Sequence, residues 1–99
     1  MTNSKKESIL EALRTEGILP LYYHPDLSVA KAVLKATYDG GSRVFEFTNR
    51  GEGAIDVFRP LVEYAHRELP GLWLGIGTVY DVITAKIFIE SGADFVVQP

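Results

Sequence analysis

The apolar positions change period several times along the chain, and each change marks an element. From Met1 to Gly17, "MTNSKKESILEALRTEG", Ile9, Leu10 and Leu13 cluster while Glu7, Glu11 and Arg14 fall outside them. That spacing predicts an amphipathic helix. "ILPLYYH", Ile18 to His24, reads as a strand, and Asp26 can cap a following helix whose apolar side carries Val29, Ala30, Val33, Leu34 and Thr37. Gly40 and Gly41 supply its stop. "RVFEFTNRG", Arg43 to Gly51, is a second strand running into a loop, followed by a helix with Ile55, Phe58, Val62, Ala65 and Leu69 on one side. Pro70 and Gly71 end that helix, and Pro60 inside it is expected to kink it or to mark where its regular part begins. "LWLGIGT" (Leu72 to Thr78) is a third strand, "YDVITAKIFIESG" a third crossover helix capped by Asp81, and "DFVVQP" a fourth strand. The order is a leading helix and then βαβαβαβ.

Strands that alternate with helices of this length imply a parallel α/β sheet, because each crossover must carry the chain back to begin another strand in the same direction. An open doubly wound sheet and a (β/α) barrel both satisfy the pattern. The sequence ends on a strand, Phe95 to Pro99, with no helix after it to cover that strand's outer face. A parallel sheet needs cover on both faces, and four strands fall short of the (β/α)8 complement. Residues 1–99 are therefore expected to form one domain that is the first half of a barrel.

Within the second strand, alternation puts Val44, Glu46 and Thr48 on one face and Phe45 and Phe47 on the other. If the phenylalanines face the helices, Glu46 points into the barrel near the strand end where active sites of this fold sit. A desolvated carboxyl there has a raised pKa and can give and take protons. A structural ion pair or a solvated edge would account for a strand glutamate equally well. Arg50 shares the parity of Glu46, and its planar guanidinium suits a carboxylate ligand. "GIGTV", Gly75 to Val79, permits close backbone approach and ends with a hydroxyl at Thr78, but it lacks the spacing of a phosphate-binding loop. Glycine in a strand also marks tight packing.

Composition narrows the function classes. With 99 residues, 46% hydrophobic, and a net charge of −3, the chain has neither the basic patch of a nucleic-acid binder nor a membrane partner. No cysteine is present, which removes disulfides, thiolate nucleophiles and cysteine metal sites together and makes a reducing cytoplasmic setting the default. Neither His24 nor His66 has a partner at metal-ligand spacing, so no metal is expected.

In combination, "GILPLYYHPD", "RVFEFTNRGEGAID", "LGIGTVYD" and "SGADFVVQP" are specific. In this order they resemble the 2-keto-3-deoxy-6-phosphogluconate (KDPG) / 4-hydroxy-2-oxoglutarate (KHG) aldolase family, from Gly17 to Pro99. The strongest piece is the Glu-x-Thr-x-Arg run at Glu46, Thr48 and Arg50, supported by Gly75 to Thr78. The resemblance implies a (β/α)8 barrel preceded by a short helix, assembled as a trimer, of which this chain is the N-terminal half. It implies a class I aldolase that acts without a cofactor on a small keto acid. Glu46 then shuttles protons, Arg50 holds the carboxylate of the pyruvyl part, Thr78 contacts the same end, and Pro99 falls at the turn after the fourth strand.

The family's Schiff-base lysine belongs to the sixth strand, beyond this sequence, and the five lysines present, Lys5, Lys6, Lys31, Lys35 and Lys86, are all predicted on helices. The piece alone is expected to be inactive. Tyr23 stands near where many members carry an arginine, so recognition of the distal acid or phosphate is expected to differ. His24 reads as a bystander in its loop. Two other classes fit the residues: a non-catalytic half-barrel that self-associates through its open edges, and a different barrel enzyme for keto-acid or phosphorylated substrates.

Overall fold

A computed structural model of the chain describes residues 4–98. Its eight elements follow the expected order: α1 (Lys5–Glu16), β1 (Leu21–Tyr22), α2 (Leu27–Asp39), β2 (Val44–Thr48), α3 (Ala54–Glu68), β3 (Trp73–Gly77), α4 (Val82–Glu90) and β4 (Val96–Val97). Helix starts are set by side chains that satisfy otherwise orphaned N–H groups. Ser4 accepts from the Glu7 amide, Asp26 from Ser28, and Asp81 from Thr84. These hydrogen bonds hold the Asp26 and Asp81 carboxyls below the usual carboxylate range.

All three strand pairings are parallel, in the spatial order β1-β2-β3-β4. A doubly wound sheet reverses its strand order at a switch point. Here each strand lies beside its sequence neighbour, as in a barrel. The outer face carries Phe45, Phe47, Leu74 and Ile76, which join Leu34, Phe58, Leu61, Val62 and Phe88 of the helices in one core. Phe47, Phe58 and Phe88 form a chain of aromatic contacts with centroids 6.1 and 5.3 Å apart. Full burial of each such ring is worth about 1.5–3 kcal/mol, so this layer fixes the parity of β2.

α1 crosses the N-terminal end of the sheet. Glu16 accepts the Arg43 N–H at 2.8 Å just before β2, and Lys5 pairs with Asp94 at 2.9 Å just before β4. Asp94 also accepts the Leu74 N–H at 2.8 Å, which ties the starts of β3 and β4 together. The opposite end of the strands is left for the chemistry.

Pro60 lies inside α3, which begins at Ala54, so it does not mark where the regular part of the helix begins. Asp56, whose carbonyl loses its i+4 donor there, is exposed, so water can replace the missing bond. β1 and β4 are two residues each rather than the longer runs expected, because edge strands pair on one side only and Pro20 brings no N–H to a ladder.

Candidate active site

Register decides what sits beside Glu46. On the inner face Glu46 lies opposite Leu21 of β1 and Gly75 of β3, and Thr48 lies opposite Gly77. By alternation from the Ile76–Val96 pair, Phe95 stands at the level of Gly75. The Phe95 ring fills the space that a Cβ on Gly75 would take. The Glu46 carboxyl does the same one step further along, over Gly77, where a Cβ would collide with its Oε2 and Cδ. Two glycines in β3 thus receive two side chains. The phenylalanine occupies the lower place, and the carboxyl leans toward the C-terminal end of the sheet.

This packing dries the acid. Glu46 is 7% exposed, and burial pushes its carboxyl above the usual carboxylate range with no charged neighbour contributing. Among the described residues it makes no salt bridge. The solvated edge is therefore not where this carboxyl lies, and no basic residue of this half of the barrel pairs with it among the described residues. A carboxyl desolvated in this way keeps its proton more readily than a solvated one and can both give and accept a proton.

Around Glu46 the other site candidates are arranged unequally. Thr78 directly follows Gly77 and has φ 61°, the left-handed region that β-branched residues avoid. Such strain, of order 1–3 kcal/mol, concentrates at ligand-binding positions. Arg50 follows β2 by two residues and is exposed, and its guanidinium contacts no acid among the described residues. The structure places it at the rim without bringing it to Glu46. Pro99 lies outside the described residues.

Several residues had no assigned role in sequence, or one that the structure changes. Gly77 is a seat for the carboxyl rather than a point of backbone approach to a ligand, and Phe95 is the wall beside it. Their signal was present in the strand register but not in any local motif. Thr48 is buried with an unpartnered hydroxyl. Tyr23 packs on Phe47 at 5.6 Å and sets its hydroxyl close over Gly51, where an added Cβ would lie 2.8 Å from it. His24 accepts the Asp26 N–H at 3.0 Å and shapes the turn into α2, as a bystander would.

Among the described residues, all five lysines lie on helices. Lys31 stacks over Tyr64 at 5.3 Å, Lys35 pairs with Asp39 at 2.6 Å, Lys5 is held by Asp94, and Lys6 and Lys86 are exposed on α1 and α4. Among the described residues, no cluster of three histidine, aspartate or glutamate side chains could hold a metal ion. Among the described residues, no helix is long and apolar enough to cross a membrane.

The chain is 33% identical over 94 residues to the KHG/KDPG aldolase of Escherichia coli K12, covering 95% of this chain and 42% of that protein. It is 30% identical over 99 residues to the 2-dehydro-3-deoxy-phosphogluconate aldolase of Pseudoalteromonas atlantica, covering 100% of this chain and 44% of the relative. The chain thus spans less than half the length of these relatives.

Among solved structures, the 2-keto-3-deoxy-6-phosphogluconate aldolase of Zymomonas mobilis with 3-phosphoglycerate superposes with a TM-score of 0.76 at 28% identity, over 92% of this chain and 41% of that one. The KDPG aldolase of Legionella pneumophila, with pyruvate captured as a covalent carbinolamine, superposes with a TM-score of 0.72 at 27% identity, over 82% of this chain and 37% of that one. A family model described as KDPG and KHG aldolase matches residues 9–99. The chain belongs to the KDPG and KHG aldolase family, and its parallel α/β sheet is part of that family's TIM-barrel fold.

Proposed function

We propose that a complete barrel containing this chain is a class I aldolase that cleaves 2-keto-3-deoxy-6-phosphogluconate, 4-hydroxy-2-oxoglutarate or both to pyruvate and an aldehyde. The observation that carries the reading is the dry carboxyl of Glu46 seated over Gly77, on the inner face and free of any salt bridge among the described residues. The covalent pyruvate carbinolamine in the Legionella relative supports it.

In this mechanism a lysine from the second half of the barrel adds to the keto carbon. Protonated Glu46 gives its proton to the carbinolamine hydroxyl, which leaves as water while the nitrogen lone pair forms the C=N bond. The resulting carboxylate takes the proton of the substrate hydroxyl. That O–H pair becomes the aldehyde C=O, and the electrons of the broken carbon–carbon bond flow into the iminium to give an enamine. Arg50 pairs with the keto-acid carboxylate, Thr78 donates to the same end, and Pro99 is the third substrate-binding candidate. The assembled enzyme is a cytoplasmic trimer. This chain by itself lacks the electron sink and is inactive.

Pyruvate with borohydride tests the reading by mass. The complete barrel, meaning this chain with the second half joined on, gains an irreversible pyruvyl adduct. The 99-residue chain gains none and cleaves no substrate. A complete barrel without the adduct points instead to another keto-acid or phosphate-binding enzyme on this fold, and an active 99-residue chain overturns the inactivity claim. Leu21 and Val97, on the inner face of the edge strands and 58% and 36% exposed, favour a second property. They leave apolar surface through which the chain on its own self-associates, seen as a size-exclusion peak above 11.0 kDa.

A further inference from the structure

Thr48 completes the Glu-x-Thr-x-Arg run, yet the mechanism above gives it nothing to do. Its side chain is 2% exposed, and its Oγ1 is buried without a hydrogen-bond partner. Buried hydroxyls are rarely left so, because the unmade bond costs free energy. Alternation puts the side chain on the inner face with Glu46, and register sets it directly across from Gly77.

The geometry narrows its partner to one group. Neighbouring strands are about 4.8 Å apart, so the place of a Gly77 Cβ lies roughly that far from the Thr48 Cβ. The Glu46 carboxyl occupies that place. The three atoms nearest that place all belong to the Glu46 side chain, so rotation about χ1 of Thr48 is the movement that would carry its hydroxyl toward the carboxyl. The local chain is held for this exchange: the Asn49 N–H donates to the Gly77 carbonyl at 2.9 Å, pinning β2 to β3 beside the pair.

We propose that Thr48 is a positioning residue, whose hydroxyl hydrogen-bonds the Glu46 carboxyl during turnover and keeps it aimed from the Gly77 seat. A hydroxyl suits the task because it donates to the carboxylate and accepts from the carboxylic acid, serving both halves of a proton-transfer cycle. A lysine or arginine in its place would hold the acid ionised. The inference rests on the proton-shuttle role proposed for Glu46 and adds a residue to it.

The test compares Thr48→Val, which keeps the shape, with Thr48→Ser, which keeps the hydroxyl, in the complete barrel. Folding of each is checked by circular dichroism. Thr48→Val is expected to lower kcat by about 10- to 100-fold, the value of a hydrogen bond to a charged group, with KM for the keto acid within about twofold if binding is untouched. It also raises the Glu46 carboxyl midpoint in a carbon-13 titration, because the ionised form loses a donor. Thr48→Ser restores both. A Thr48→Val protein with parental kcat and midpoint, or a Thr48→Ser protein as impaired as it, overturns the proposal. Pyruvate trapping of the parent is read separately: its failure ends the aldolase reading, while the titration still decides whether Thr48 serves Glu46.

Discussion

Replacing Glu46 by glutamine in the complete barrel is expected to lower kcat/KM by about 10²- to 10⁴-fold, the usual worth of a positioned acid–base group. The amide fills the same seat over Gly77 but neither accepts nor returns a proton. Stability moves the other way. Burial raises the Glu46 carboxyl, so the folded protein holds this proton to a higher pH than the unfolded chain does. The group's contribution to folding is fully present below its unfolded-state pKa and is lost as pH rises through its folded-state pKa. Glutamine carries no charge to desolvate. Chemical denaturation at neutral pH should therefore find Glu46→Gln more stable than its parent, with the difference shrinking as the pH is lowered. A variant less stable than its parent at neutral pH would mean that the carboxylate is favourably paired.

The second large effect is expected from a single methyl group. Gly77→Ala puts a Cβ into the carboxyl of Glu46, so this end of the side chain must swing off its seat on β3. Overpacking of this kind costs about 1–3 kcal/mol. Pushing the reacting group aside by about 1 Å costs on the order of 10²-fold in turnover. Both follow from one clash, so they are separable by a cycle. Truncating the acid with Glu46→Ala in the Gly77→Ala background should recover the stability and none of the activity. If Gly77→Ala were as active as its parent, or if the two substitutions added independently in stability, the carboxyl would not be seated on Gly77.

Much of this site was legible in the sequence because strand parity is a local property. Once Phe45 and Phe47 are assigned to the helices, Glu46 must face the other way, and the structure keeps that assignment through the Phe47–Phe58 contact. Helix caps at Asp26 and Asp81 were readable for the same reason, since a cap acts within three residues of itself. What could not be read depends on register between strands. Nothing in "GIGTV" says that one glycine takes Phe95 and the next takes Glu46, because both occupants come from other strands. The orphaned hydroxyl of Thr48 is likewise visible only after β2 and β3 are paired. Arg50 marks the limit in the other direction. It was placed by strand parity, but it lies past the last residue of β2, and its N–H turns back to the Thr48 carbonyl, so alternation no longer fixes where its long side chain points.

Thr78 shows how the two kinds of information combine. As a residue type it offers only a hydroxyl, and its sequence position says only that it follows a strand. Its φ of 61° says that the fold holds a β-branched residue against its preference, one place beyond the glycine that seats the acid. Glu46 and Thr48 share one face of β2, Gly77 at the end of β3 lies under the Glu46 carboxyl, and Thr78 follows it directly.

The central claim is that the Glu46 carboxyl is buried on the inner face and keeps its proton beyond the range of a solvated glutamate. Carbon-13 labelling of the glutamate side chains and titration of the complete barrel, with Glu46→Gln to assign the resonance, measures this directly. A Glu46 midpoint above the ordinary range of a solvated glutamate is the expected result. A midpoint within that range or below it would place the carboxyl in water or against a cation, and would contradict the claim.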